Sequence, residues 1–417
     1  MTGSAARGAE NSVIMRAFRN EQLLIACYAV VLYLALMQAL TFYALPGSKA
    51  GQDPTDYVSF FVSGRLFWQG HAADAYDKLL YTQHLKLIGQ IGAYLSWAYP
   101  PQFFFILAIF APLPIWLGYL AFTLSGFAAF AHVLKRLAGA YAPGAFAIAL
   151  PAIIITTRSG QTGFWIAALI GWFLVAYRDG RDRAGIPLGL MVIKPHLAAG
   201  IGVLTLISRR WRVALLAAAI IAASSLLATF AFGPDIWTSF RAGVAGSSNL
   251  LWQGNLPLSR MTSVFAFAYR IGSDPRTALI CHAAVAAGGI AWLVWIGRSA
   301  KLEHVLAWTV FSGLLVSPYN YDYDLVALAL AAGLILPELA QKARSWEIAG
   351  MALLAWFASA NSQIMVAQML AYGHIFTNHG KVVLASFSAP TLLLLAGWVG
   401  LAVSRRADGV GAVSSNS

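Results

Sequence analysis

The constraint that governs this chain is a succession of long apolar runs, separated by short polar segments, from about residue 22 to residue 403. A helix needs roughly 20 apolar residues to cross a bilayer, and fewer when it is packed among partners. Candidate spans lie near 22–45, 115–134, 143–158, 162–177, 184–194, 196–208, 213–233, 279–297, 303–317, 324–340, 347–371 and 383–403. The run 101–112 is shorter and ends at Pro112-Leu113-Pro114, so it reads as a half-length span or a re-entrant segment. Charged residues make up only 11% of the chain, where a soluble globular protein carries roughly 25%. A deficit of that size means that most of the surface faces something other than water. The expectation is an all-α, polytopic transmembrane helical bundle of about 11–13 spans.

The cations support this reading. A net charge of +12 suggests nucleic acid at first sight, but nucleic-acid binding needs a basic face or stripe. Here the basic residues sit in short clusters between apolar runs: Lys135/Arg136, Arg178/Arg181/Arg183, Arg209/Arg210/Arg212, Arg298/Lys301, Lys342/Arg344 and Arg405/Arg406. That is the positive-inside pattern of a membrane protein. It puts residues 1–20 in the cytoplasm as a polar N-terminus and 404–417 there as a disordered tail. A single domain, 21–403, lies between, with long extracytoplasmic loops at 46–100 and 234–278. Cys27 and Cys281 sit far apart in apolar runs and suggest neither a disulfide framework nor a thiol metal site. The inner loops are short, and no Walker or dinucleotide fingerprint is present. No metal site and no cofactor are expected; His374 and His379 lack the spacing and carboxylate support of a zinc site.

With this topology the polar motifs gather on the outer side. The first long loop contains Asp53 and Asp56, followed by Tyr57, Phe60, Phe61 and Leu66 at near-helical spacing, an amphipathic helix in that loop. Asp53 or Asp56 either caps this helix or supplies a general base outside the first span. Asp74 and Asp77 read as turn residues. Lys194-Pro195-His196 interrupts an apolar stretch whose flanking runs are too short for ordinary spans. Broken helices whose polar ends meet line buried membrane sites. An intramembrane Lys costs about 2.5–3.5 kcal/mol on insertion scales, so Lys194 is either snorkelling at a span end or an anion site, and a phosphate suits it. Ser159-Gly160-Gln161 breaks two spans. Trp252-Gln253-Gly254-Asn255 and Arg260 lie in the second long loop, where amides and an aromatic ring suit a sugar. The densest polar cluster is Ser317-Pro318-Tyr319-Asn320-Tyr321-Asp322-Tyr323-Asp324, whose aspartates either cap the next span or bind a polar head group.

Taken together these segments resemble glycosyltransferase family 87, polytopic enzymes of the GT-C class. The resemblance is carried by Asp56-Tyr57 to Gly70, Ala75-Tyr76-Asp77, Tyr99-Pro100-Pro101, Pro112-Leu113-Pro114, Gly160-Gln161, Lys194-Pro195, Asn255 with Ser259, and Ser317-Pro318 to Asp324, in that order. It implies a GT-C-type bundle and transfer of a hexosyl unit, mannosyl first among them, from a polyprenyl-phosphate donor. The acceptor is a lipid or a glycan, and the active site faces the periplasm across a bacterial inner membrane. It implies Asp56 as base with Asp53 in reserve. The residues themselves then place Lys194 first, with Arg260 and His196 behind it, at the donor phosphate, and Gln161, Asn255, Tyr321, Asp322 and Asp324 around substrate. Where the family's mannosyltransferases often carry Trp or His after the Ser-Pro pair, this chain has Tyr321, Asp322 and Asp324. The reading from another class is a transporter or lipid flippase of about twelve spans, which requires two pseudo-symmetric halves and polar groups near the bilayer midplane.

Overall fold

The structure is a computed structural model of the chain and describes residues 15–43, 56–88, 97–372, 377–378, 381–382 and 386–405. Asp53, His374, His379 and most of both terminal segments lie outside the described residues. The bundle is all-α, apart from a two-residue antiparallel pairing of Thr377–Asn378 with Lys381–Val382. A first long helix, α1 (Glu21–Tyr43), is followed by α2 (Asp56–Trp68), α3 (Lys78–Leu87) and the eight-residue α4 (Phe103–Phe110). Next come α5 (Ile115–Ala138), α6 (Ala142–Ile148), α7 (Leu150–Ser159) and α8 (Gly163–Arg178). The short α9 (Gly185–Leu190) and α10 (Ala199–Ile207) flank a break, and α11 (Trp211–Phe232) is long again. Two helices, α12 (Ile236–Trp252) and α13 (Val264–Arg270), occupy the stretch expected as the second long loop. The chain ends with α14 (Pro275–Ile296), α15 (Leu302–Val316), α16 (Leu328–Lys342), α17 (Ser345–Tyr372) and α18 (Ser388–Ser404).

Among the described residues, five helical stretches are long and apolar enough to cross a membrane alone: Glu21–Tyr43, Ile115–Ile148, Trp211–Phe232, Pro275–Ile296 and Asp322–Lys342. Gly163–Arg178, Pro195–Ile207, Leu302–Val316 and Ser388–Ser404 are shorter and apolar. Each expected span therefore meets a helix, but several are pieces of one crossing. The apolar surface of α11 and α14 is exposed: Leu226 at 71%, Phe230 at 94% and Ile280 at 68%. A soluble monomer rarely shows contiguous apolar patches beyond a few hundred Å², so these helices face lipid. The protein is an integral membrane protein. The stretch Asp322–Lys342, by contrast, is mostly buried among other helices and forms the centre of the bundle.

The interruptions have local causes. Pro143 and Pro151 stand in the first turns of α6 and α7, where the missing N–H leaves no bond unmade. Gly160 ends α7 in the left-handed region at φ 64°, and a Cβ there would lie 2.7 Å from the Tyr57 Cβ. Only glycine meets both conditions. Asp77 caps α3 by accepting from the Leu79 and Leu80 amides, which gives the turn reading of that residue a mechanism. Within the first loop, α3 is amphipathic, with Tyr81 and Leu85 buried. The α2 helix is more enclosed than an amphipathic pattern requires. Tyr57 to Gly64 are buried on every side, because α2 sits against α4 with Gly64 so close that a Cβ would meet Ala111 Cβ at 2.7 Å. Tyr57, Phe60, Tyr99, Phe103 and Phe122 form an edge-to-face aromatic cluster that fixes this packing.

The first residue of α8 sets the distance between that helix and the centre of the bundle. A Cβ on Gly163 would lie 2.4 Å from the Tyr323 carbonyl oxygen, whereas a Cβ on Gly202 in α10 meets nothing within 4 Å. Gly163→Ala is expected to cost about 1–3 kcal/mol through overpacking against a backbone atom, and to lower the thermal midpoint of the detergent-purified protein. Gly202→Ala is expected to leave that midpoint unchanged or raise it, since alanine is the better helix former by up to ~1 kcal/mol. Equal midpoints for the two variants would show that α8 does not rest on Tyr323.

Candidate active site

The site is built on the segment between α15 and α16. After Pro318 the chain cannot continue the helix. Asn320 donates from Nδ2 to the Leu314 carbonyl at 3.0 Å, and Ser317 Oγ accepts from the Tyr319 amide at 3.1 Å. The turn ends in a short, tight 3₁₀ helix, Asp322–Ala327, which packs on α7, α8 and α17. Two links bring the second long loop to this turn. The Thr262 amide donates to the Asn320 carbonyl at 2.8 Å, and Met261 pairs antiparallel with Tyr321. Arg260, one residue earlier, is thereby delivered to Asp322.

Arg260 makes a two-pronged contact with Asp322: Nε to Oδ2 at 3.2 Å and Nη2 to Oδ1 at 3.2 Å. Its remaining nitrogen, Nη1, reaches Asp56 Oδ2 at 3.3 Å. Asp322 also accepts from Ser362 Oγ of α17 at 2.7 Å and from the Tyr323 amide at 2.9 Å. A second pair lies alongside. The Lys194 ammonium, at the break between α9 and α10, donates to Asp324 Oδ1 at 2.5 Å, and Asp324 Oδ2 accepts from the Tyr321 amide at 3.2 Å. The Tyr323 ring lies near both cations, its centroid 4.5 Å from Lys194 Nζ and 5.7 Å from the Arg260 guanidinium carbon. Tyr321 is stacked on it with ring centroids 5.4 Å apart.

Burial differs across the cluster in a way that matters. The Asp322 and Asp324 side chains are 2% and 0% exposed, while Asp56 is 17% and Arg260 29% exposed. The open side of the cluster is therefore the Asp56–Arg260 edge. Burial pushes the Asp56 carboxyl above the ordinary carboxylate range; the Arg260 charge pulls it back and the Asp322 charge adds to the rise. Burial works against the charged form of Arg260, but Asp322 and Asp56 outweigh it and hold its pKa above the usual value. Tyr99 donates from its hydroxyl to Gln161 Oε1 at 3.1 Å, and the same oxygen accepts from the Thr162 amide. Burial pushes the Tyr99 hydroxyl pKa up, so it stays a neutral donor.

Of the residues singled out from the sequence, Asp56, Gln161, Lys194, Arg260, Tyr321, Asp322 and Asp324 are brought together. His196 follows Lys194 on the break, and its Nε2 is buried with no hydrogen-bond partner among the described residues. Asn255 is not brought in. It is exposed and donates to Gln253 Oε1 within its own turn at 3.1 Å, so the loop amides bond each other. Lys194 is neither snorkelling nor unpaired: the ammonium is buried against Asp324. Asp324 does cap the 3₁₀ turn leading into α16, by accepting from the Tyr321 amide, and also pairs with Lys194, while Asp322 pairs with Arg260. Sequence reasoning missed Ser362 and the central Tyr323. The only sign of Ser362 is the polar pair Asn361-Ser362 inside an apolar helix.

The model of glycosyltransferase family 87 matches residues 97–318, over half of the chain. That stretch includes Tyr99, Gln161, Lys194 and Arg260 and ends on Pro318, just short of the two aspartates. No curated protein and no solved structure matches the chain.

A buried ion pair has a sharp mutational signature. Removing one member leaves the other charge without compensation, at about 3–5 kcal/mol, whereas removing both is often close to neutral. Lys194→Met and Asp324→Asn are each expected to lower the thermal midpoint and the yield of folded protein, and the double variant to recover most of the loss. Additive losses in the double variant, measured in one detergent, would show that the two side chains do not act as a pair.

Proposed function

Because the chain belongs to glycosyltransferase family 87, we propose that it transfers a hexosyl unit, mannosyl in the first instance, from a polyprenyl-phosphate donor to a lipid or glycan acceptor. The observation that carries this reading is the meeting of Asp56 and Arg260 on the open edge of the charge cluster. A carboxylate and a guanidinium side by side are what the reaction needs: one to take a proton, the other to meet a phosphate.

In this mechanism the acceptor hydroxyl oxygen bonds to the anomeric carbon. The bond from that carbon to the donor's phosphate oxygen breaks on the opposite face, and configuration is inverted. The phosphate keeps the electron pair and gains one negative charge. The hydroxyl proton passes to Asp56, which is the general base. Arg260 meets the developing charge, and its planar fork suits a phosphate. Lys194 adds positive potential from behind Tyr323, and His196 completes that side. Gln161, Tyr321 and Tyr99 border the space where the sugar would lie. The leaving group is a phosphate monoester rather than a nucleotide diphosphate, so the chemistry does not require a divalent metal.

The helix ends support the expected orientation. α8 starts at Gly163 beside Tyr323 and ends at Arg178, and the segment that begins at Asp322 ends with α16 at Lys342. The basic clusters therefore lie at the helix ends away from the site, as the positive-inside rule asks of an active site on the extracytoplasmic, periplasmic face of an inner membrane.

Asp56→Asn is expected to lower transfer from a purified polyprenyl-phosphate sugar by about 10²–10⁴-fold, the usual contribution of a general base, with the fold intact by thermal melting. Full transfer by this variant would remove Asp56 from the mechanism. Because the base acts only when ionised and burial raises its pKa, the wild-type rate should fall on acidification already above the ordinary carboxylate range. A rate that stays flat down to that range would contradict the assignment.

A further inference from the structure

The three carboxylates and two cations of the cluster do not balance. With all five ionised, Asp56, Asp322 and Asp324 outnumber Lys194 and Arg260 by one negative charge, and both cations are already engaged. An anionic donor approaching such a site gains little unless a cation changes partner. The hydrogen bonds show which one is free to do so. Lys194 is fixed on Asp324, a carboxylate with no exposure. Arg260 is fixed at two of its three nitrogens by Asp322, itself held by Ser362 and the Tyr323 amide. Only the Nη1 contact to Asp56 is single, and it lies on the open edge.

We propose that Arg260 hands its Nη1 contact from Asp56 to the donor phosphate, and that Asp322, locked by Ser362, is the positioning residue that keeps the guanidinium in place during the exchange. The inference rests on the reading of Asp56 as base and Arg260 as phosphate ligand, and adds an order of events. Before the donor arrives, Asp56 is tied to a cation, which makes it a poor proton acceptor. Once the phosphate takes Nη1, the Asp56 carboxylate loses its partner and becomes the stronger base next to the acceptor hydroxyl. The donor thus binds first, and the base is released only when there is a sugar to transfer. At Arg260 itself the exchange is neutral in charge, because the phosphate replaces a carboxylate there.

The groups facing Asp56 are Arg260, Asp322 and the Gln161 amide, with Tyr99, Tyr321 and Tyr323 beyond them and the Lys194–Asp324 pair behind. Asp322 contributes negative charge that raises the Asp56 pKa. Removing it lowers that pKa, so the acid limb of the pH–rate profile moves to lower pH. A residue with only a packing role would not move the limb in that direction.

The test uses the full chain in detergent with a short-chain polyprenyl-phosphate mannose and a lipid acceptor. Asp322→Asn is expected to raise the donor KM by about ten-fold or more, as for loss of a charge-assisted contact, and to leave the acceptor KM within about two-fold, inside the spread of such context-dependent effects. It should also shift the acid limb downward. Ser362→Ala strips one bond from Asp322 but keeps its charge, so it should raise the donor KM by a smaller factor with the acid limb unmoved; its donor KM carries the test alone if Asp322→Asn does not fold. Product inhibition of the wild type should place donor binding first. An unchanged donor KM with an unmoved acid limb, in a wild type that transfers sugar, overturns the hand-over and leaves the function proposal standing. A folded wild type that transfers no sugar from any polyprenyl-phosphate donor overturns both.

Discussion

The fold depends on two carboxylates, Asp322 and Asp324, placed in a turn where water barely reaches them. Moving an ion from water into such a setting costs several kcal/mol after relaxation. The segment can occupy the centre of the bundle only if each carboxylate meets a cation there. Both cations come from far along the chain: Arg260 lies 62 residues before Asp322, and Lys194 lies 130 residues before Asp324. Within a large buried apolar core, the pairs therefore select which segments meet at this turn. They bring the second long loop, the break between α9 and α10, and α17 to the same turn. In a bilayer the usual drive for helix association is weak, because lipid tails are as apolar as leucine, and polar contacts take over part of that role.

Tyr323 decides how the two pairs coexist. Two cations in a poorly hydrated site repel each other. An aromatic ring near both offers its π electrons to positive charge, an attraction that grows when the groups are desolvated. Its own backbone is used as well: the carbonyl accepts from Thr156 Oγ1 at 3.1 Å and touches the start of α8. One residue thus lies near both charges, anchors the helix that borders them, and donates its amide to Asp322. The positions of Gly163 and Thr156 are consequences of that crowding.

Much of this is legible in the sequence, and the reason is physical. Apolar runs of roughly membrane length carry their meaning without any knowledge of tertiary structure, so helices stand where such runs lie, from Glu21–Tyr43 to Ser388–Ser404. Polar residues that interrupt or end apolar runs are costly, which is why Lys194, Asp322 and Asp324 stand out by residue type and position alone, whereas Asp56 and Arg260 stand in expected loops and are marked only by residue type. Their pairing is not legible. It depends on how the turn after Pro318 folds and on the short Met261–Tyr321 pairing, neither of which has a sequence signal of its own. Asn255 shows the converse. A polar residue in a loop, where water is available, carries no such cost, and its amide bonds Gln253 instead of entering the site. The stretch that forms α12 and α13 reads only as a long loop, because its apolar content falls short of the neighbouring spans. Ser362 has only the weak signal of polar neighbours in an apolar helix: serine is tolerated in a membrane helix by bonding its own backbone, and nothing there says that it turns to Asp322.

The same balance of charge bears on how such a site can meet an anionic lipid. A cation held unpaired in this environment would lose its charge or destabilise the bundle, so a ready-made free phosphate site is hard to maintain. A cation held by a partner that can be displaced is not. Asp322 and Asp324 are saturated and enclosed, whereas Asp56 touches Arg260 through one nitrogen at the open edge. The resting pairs keep the guanidinium and the ammonium oriented, which removes the reorganisation cost at the moment of reaction. In the proposed mechanism the carboxylate that yields its contact is also the base, so preorganisation and activation would draw on one ion pair, and the unequal grip of Arg260 on its two carboxylates would permit it.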